Sequence, residues 1–432
     1  MSSRIAAVEG WEALDSRGDP TVGCRVTLVG GAAGVAITPS GASRGTHEAW
    51  ELRDGDERYG GLGVQRAVEN VREILAPGVI GRDAEQQDKL DSVLREIDGT
   101  TNLARIGANA VLAVSVASAL AAAKQNAVPF YRWIGGDREP LLPMPMINVL
   151  SGRAHGGALD LQDFLVVPVG ASSFPEAIEA AWRVRRATAD LIADRALPAT
   201  LVADEGGLGP PLTSARDALD LLESGIERAG LVPGDDMAIA VDVAASRLAV
   251  PGGYRLAAEG RVLDREQLLD EVAAWSRAYP IVSLEDPLGE DDWTGWVEAN
   301  KRLGGTMQLL GDDLFATNVE RLERGIELRA ANAVLVKPNQ TGTLSSARKT
   351  LLRARDAGLA TVVSARSGDT EEAWLADLAV GWQAGQIKVG SLTRSERTAK
   401  WNRLLAIAAE AGETSAFAGR RALAPYPRSL PG

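Results

Sequence analysis

Cysteine, histidine and long apolar runs are scarce in this chain, and each scarcity excludes something. A single cysteine, Cys24, among 432 residues rules out an internal disulfide framework and fits a reducing, cytoplasmic setting. It lies in an alternating apolar stretch and reads as a small core residue. Two histidines leave too few nitrogen donors for a zinc centre. No uninterrupted apolar run reaches the roughly 18–20 residues of a membrane span. The alanine-rich stretch 108–123 is broken by Asn109 and by serines, and predicts a buried helix. The opening MSSRIAAVEGWEALDSRG has no apolar core of the kind a secretory signal needs. Cations are outnumbered, 46 against 58 acidic residues, for a net charge of -12. No basic stripe is present, which argues against nucleic acid as a partner. An acidic chain that binds an anion must gather its cations, or a metal, at one place.

The length suits a barrel of roughly 250–300 residues with a smaller domain beside it. Residues 21–29 alternate as a strand, Gly30 and Gly31 turn, and 34–38 returns, so a hairpin is expected near the start. Helical spacing then appears at Val64, Ala67, Val68, Val71, Ile74 and Leu75, and again at Leu90, Val93, Leu94 and Ile97. This predicts an α+β domain over 1–135. After Pro143 the pattern becomes short apolar runs alternating with amphipathic helices, at 143–149, 164–169, 200–203, 237–241, 281–284, 307–310, 333–336, 360–364 and 386–389. Such repetition predicts βα units with a parallel sheet, closed as a (β/α)8-type barrel over 136–432. Helix starts are marked by Ser173 with Glu176 and by Asp264 with Gln267.

Barrel enzymes carry their chemistry at the carboxyl ends of the strands. Charged and polar residues fall there repeatedly: Glu205, Asp242, Glu285, Asp312, Lys337, Arg366, Ser367 and Lys388. Asp242, Glu285 and Asp312 come from three neighbouring strands, and carboxylates gathered in a buried mouth repel unless a cation joins them. All-oxygen ligation with open positions suits Mg²⁺. Lys337 and Lys388 at the same level are expected to lower each other's pKa, which suits one of them to act as a base.

The motifs LDSRGDPTV (14–22), PSGASRGTHEAWELRDGD (39–56), DGTTNLARIGANAVLAVS (98–115), VADEGGLGP (202–210), SLEDP (283–287), LGDDLFATN (310–318), VLVKPNQTGTLS (334–345), SARSGDT (364–370), GQIKVGS (385–391) and RSERTAKWNRLL (394–405) resemble enolases along nearly the whole chain. The resemblance implies a magnesium-dependent lyase of glycolysis that dehydrates 2-phospho-D-glycerate, a small phosphorylated carboxylic acid, to phosphoenolpyruvate. It implies Lys337 as the base at C2 and Glu205 as the acid at the C3 hydroxyl. Asp242, Glu285 and Asp312 match the ligands of one Mg²⁺, and Ser43 a ligand of a second that arrives with substrate. His155, Gln162, Asp163, Arg366, Ser367 and Lys388, with Lys337, match groups at the substrate. At least a homodimer is implied.

The chain departs from that pattern around the substrate. Ala365 stands where the family has histidine, Asp163 where it has glutamate, and Ser151 and Arg153 where it has asparagine and glycine. Ala365 would leave space, Asp163 would sit farther from substrate, and Arg153 would add a cation near His155. Two other readings follow: an enzyme like carboxyphosphonoenolpyruvate synthase of phosphonate antibiotic pathways, or a non-catalytic binding protein on an enolase scaffold.

Overall fold

The computed structural model describes residues 2–41, 45–412 and 415–425. It opens with an antiparallel sheet of β1 (Ile5–Leu14), β2 (Pro20–Leu28) and β3 (Ala33–Ile37), in that order. The expected hairpin is β2–β3. Its extra partner, β1, hides in the sequence because Glu9, Gly10 and Glu12 interrupt its apolar positions. The helix Ala108–Gln125 covers this sheet and is apolar on nearly every side because it is buried on nearly every side. By length and composition it could cross a membrane, yet 83% of it is buried inside the fold. Its approach to β3 depends on Gly34, where a Cβ would stand 2.0 Å from the Ala117 carbonyl.

After β4 (Leu141–Leu142) the barrel begins with β5 (Met144–Ser151), β6 (Asp163–Val167) and β7 (Ala238–Asp242). A small sheet of β8 (Ala249–Val250), β9 (Gly253–Leu256) and β10 (Arg261–Leu263) follows. The barrel resumes with β11 (Ile281–Glu285), β12 (Gln308–Gly311), β13 (Ala333–Val336), β14 (Ala360–Ser364) and β15 (Gly385–Lys388), and β16 (Ala416–Phe417) pairs with β4. The eight strands close in the order β11-β12-β13-β14-β15-β5-β6-β7, an α/β barrel with helices outside.

Two expectations are corrected. The barrel is not uniformly parallel: β6 runs antiparallel to both β5 and β7. The connection 152–162 returns the chain from β5 with only a single 3-10 turn, Arg153–His155, and two consecutive α-helices, Phe174–Asp194 and Ala215–Arg228, then restore the direction. The run 200–203 forms no strand of the barrel. Leu201 and Val202 are exposed, and Val202 makes only an isolated bridge to Leu208. Inside the barrel, Gln308 and Gln386 satisfy one another, with Gln308 Nε2 donating to Gln386 Oε1 at 3.1 Å and Gln386 Nε2 to Gln308 Oε1 at 2.9 Å. This explains why two buried strands carry glutamine. The Asp264–Gln267 capping box is complete, whereas the Glu176 side chain turns to Ser172 instead of closing on Ser173.

Candidate active site

At the carboxyl ends of the barrel strands lies a narrow, polar cleft. Asp242, Glu285 and Lys388 are the last residues of β7, β11 and β15, while Asp312 and Lys337 come one residue after β12 and β13. Arg366 and Ser367 follow β14. His155, Gln162, Glu205, Asp242, Asp312, Lys337, Arg366, Ser367 and Lys388 all border the cleft. A wider groove, beside Trp133 and Trp382, is bordered by none of the predicted site residues.

Glu205 arrives differently from the others. It is carried by a loop over the barrel mouth, fixed by Asp204 N–H donating to the His155 carbonyl at 3.0 Å and Gly206 N–H to the Ala203 carbonyl at 2.9 Å. Gly206 has φ +83, and a Cβ there would meet the Thr393 carbonyl at 2.5 Å, so only glycine fits.

The Lys388 ammonium donates to Asp242 Oδ2 and to Glu285 Oε2, each at 2.7 Å. Gln162 Nε2 donates to the same Asp242 oxygen at 2.8 Å. Lys337 donates to Asp312 Oδ2, and Gln340 Nε2 to Asp312 Oδ1 at 3.0 Å. Both lysines contradict the expectation of lowered pKa. Burial works against their charge, but Asp312 lifts Lys337, and Asp242 with Glu285 lift Lys388 well above the usual lysine range. Each lysine meets carboxylates more closely than it meets the other lysine. Burial, followed by the Asp242 charge, holds the Glu285 carboxyl well above the ordinary range.

A second cluster lies across the cleft. His155 Nδ1 stands 3.0 Å from Asp163 Oδ1, and its Nε2 stands 3.7 Å from Glu205 Oε1. Burial opposes charge on the imidazole, yet Asp163 and Glu205 outweigh it and raise its pKa to about 9. Glu205 resists burial in turn: His155 and more distant cations bring it down to about 2.

The departures from the family pattern occupy different places. Ala365 does border the cleft. Asp163 is fully buried behind His155, off the cleft wall, and takes hydrogen bonds from Asn148 Nδ2 and from Ser151 Oγ at 3.0 Å. Ser151 and Asp163, two of the substituted positions, thus touch each other. Arg153 is not a cleft cation: its side chain is 58% exposed and pairs with Asp160 at 3.7 Å. Ser43 lies outside the described residues.

Four further charged residues of the cleft escaped sequence reasoning. Glu48 accepts from Arg366 Nη1 at 2.8 Å and makes part of the wall from the N-terminal segment. Asp286 accepts from the amides of Asp312 and Asp313, at 3.1 and 2.7 Å, with a left-handed φ of +41. Asp313 is raised to about 7 by burial and then by Asp312. Arg247 borders the cleft from the segment after β7. Glu48, Asp286 and Asp313 stand inside quoted motifs; the doubled Asp312-Asp313 and the Glu285-Asp286 pair were the available signals.

Among the described residues, two sets of possible metal-ligating atoms already converge within 4.8 Å: His155, Asp163 and Glu205, and Asp286, Asp312 and Asp313. Asp242 and Glu285 instead hold the Lys388 ammonium between them. Three carboxylates at adjacent strand ends, one of them strained toward protonation by its neighbours, are the oxygen donors a hard divalent cation takes.

The family model described as "Enolase, C-terminal TIM barrel domain" matches residues 139–426. That described as "Enolase, N-terminal domain" matches residues 5–134.

Proposed function

The chain belongs to the enolase family, and from that premise we propose that it is a magnesium-dependent lyase that dehydrates 2-phospho-D-glycerate to phosphoenolpyruvate. The observation that carries this reading is the meeting, in one cleft, of Lys337, Glu205, Lys388, Arg366 and the carboxylates Asp242 and Asp312. Asp242, Glu285 and Asp312 would hold one Mg²⁺, and Ser43 would contribute to a second. Bound divalent ions neutralise the charge that builds on the substrate carboxylate when its neighbouring carbon loses a proton.

Lys337 is the base in this reading. It is now protonated against Asp312, so it becomes competent when that carboxylate turns to another cation and Arg366 and Lys388 remain as its neighbours. Glu205 is the acid for the departing hydroxyl. Held at about 2 beside the His155 imidazolium, which stands 3.7 Å away, it is ionised in the ligand-free site and must gain a proton before it acts. Arg366, Ser367 and Lys388 bind the anionic groups of the substrate. The family resemblance supports assembly as at least a homodimer.

Ala365 on the cleft wall favours a second reading, a bulkier acid of the kind used by carboxyphosphonoenolpyruvate synthase, because it leaves space and brings no donor. Incubation with Mg²⁺ and 2-phosphoglycerate separates the two. Ultraviolet absorbance from phosphoenolpyruvate supports the first; exchange of the C2 proton with solvent and no absorbance supports the second. The absence of both exchange and Mg²⁺ binding rejects both.

A further inference from the structure

The helix Ser395–Ala411 begins in the motif RSERTAKW and carries two cations with almost no access to water, Arg397 at 0% and Lys400 at 1% exposure. A buried guanidinium is costly unless its donors are satisfied. The two terminal nitrogens of Arg397 donate to main-chain carbonyls beside the cleft, while its Nε makes no hydrogen bond. Nη1 donates to the Arg366 carbonyl at 2.7 Å and to that of Val389 at 3.4 Å, and Nη2 donates to the Ser367 carbonyl at 2.5 Å. One planar fork therefore ties together the segments that leave β14 and β15. Glu396 Oε1, 3.4 Å from Arg397 Nε, is the carboxylate that balances its charge.

Neighbouring residues extend the grip. Lys400 donates to Asp369 Oδ1 at 2.7 Å and to the Thr370 carbonyl. Trp401 Nε1 donates to the Ser391 carbonyl at 2.8 Å, and the Ser391 amide donates to the Glu205 carbonyl at 2.8 Å. Gly390 makes the close approach possible: with φ +94, a Cβ there would stand 2.7 Å from the Glu205 carbonyl and 2.9 Å from Arg397 Cδ. Arg366, Ser367 and the Glu205 loop are thus all referenced to one helix, whereas Lys337 and Asp312, beyond β13 and β12, make no hydrogen bond to it.

We propose that Arg397 is a positioning residue that sets the main chain bearing Arg366 and Ser367 and, through residues 389–391, the loop bearing Glu205. A core cation with no such role would not have every guanidinium acceptor at the edge of the cleft. Lysine keeps the charge but has no planar fork, so it cannot serve the three carbonyls together.

The test uses the full chain as wild type, Arg397→Lys and Arg397→Met, with Arg403→Gln as a control on the same helix, where Arg403 pairs with Asp377 instead. The first readout is deuterium exchange and needs no activity. Arg397→Lys should speed exchange about tenfold in 365–370 and 389–391 and leave 330–337 as in wild type. The second readout rests on the lyase reading. With Mg²⁺ and 2-phosphoglycerate, kcat/KM for dehydration should fall about 100-fold with a rise in KM, while C2-proton exchange at saturating acid persists. Arg403→Gln should do neither.

If wild type neither dehydrates nor exchanges the acid, the lyase reading fails and the deuterium result alone decides. Protection unchanged in Arg397→Lys, or lost equally over 330–337, overturns the proposal. So does an equal fall of proton exchange and dehydration in an active enzyme. Should Arg397→Met not fold, the same two readouts on Arg397→Lys decide the matter.

Discussion

Lys388 Nζ lies 2.7 Å from Glu285 Oε2, a buried ammonium resting on a carboxylate proposed to bind a metal. The same nitrogen reaches Asp242, so the lysine supplies the charge a divalent ion would otherwise provide. Removing it leaves two buried carboxylates facing each other. Lys388→Met is expected to cost about 3–5 kcal/mol in the metal-free protein. Added Mg²⁺ should then raise its melting temperature more than it raises that of wild type. Thermal unfolding with and without MgCl₂ checks this, and an equal response in the two proteins would separate Lys388 from the metal site.

A second prediction concerns the imidazolium between Asp163 and Glu205. His155 is raised to about 9 from an ordinary 6.5, because the two carboxylates outweigh burial. Its folded pKa is the higher one, so its contribution to stability is complete below 6.5 and fades as pH rises from there to about 9. With only two histidines in the chain, ring ¹⁵N shifts assign it directly once His47 is substituted. The ring should remain doubly protonated at about pH 7.5, and Asp163→Asn should bring its pKa down. A neutral His155 at that pH would show that the pairing is too weak to hold the charge.

The barrel was legible because strands buried on both faces are continuous apolar runs, and the runs read from sequence, 200–203 apart, coincide with β5, β6, β7 and β11 to β15. TLVA at 200–203 has the same composition but not the burial, and composition alone could not tell a loop across the mouth from a strand within it. The direction of β6 depends on how the chain returns through 152–162, which no local periodicity encodes. Charged residues at strand ends led to the cleft. Their protonation did not follow from the sequence, since Lys337 and Lys388 answer to carboxylates on other strands. Asp163 likewise shows its role only when Ser151 and His155 fold against it.

The proposed division of labour gives a third prediction. Lys337→Ala should abolish both C2-proton exchange and dehydration, because the base serves both. Glu205→Gln should lower dehydration by about 100-fold or more while exchange continues, because it acts only on the leaving hydroxyl. Mass spectrometry of the recovered acid in deuterated water, run beside the absorbance assay, distinguishes them. Equal loss of the two signals in Glu205→Gln would remove it from the acid role.

Ala365 offers the variant that separates the two substrate readings. Its amide donates to the Lys388 carbonyl at 2.9 Å and its own carbonyl accepts from Ser364 Oγ at 3.0 Å, so the backbone is fixed. A larger side chain there has the cleft to enter, since Ala365 lies on its wall. Histidine would place a polar ring among Ser364, Arg366 and Lys388, filling space and adding a donor. If 2-phosphoglycerate is the substrate, Ala365→His should raise turnover with little change in Mg²⁺ binding, because the carboxylates are not displaced. If the cleft is shaped for a bulkier acid, the same ring occupies the room that acid needs. Turnover of 2-phosphoglycerate would then stay flat or fall, and a phosphonoformyl-bearing partner would be accepted by wild type and refused by the variant. Parallel steady-state assays of the two proteins on both substrates give the answer, and a rise on both substrates would contradict the steric argument.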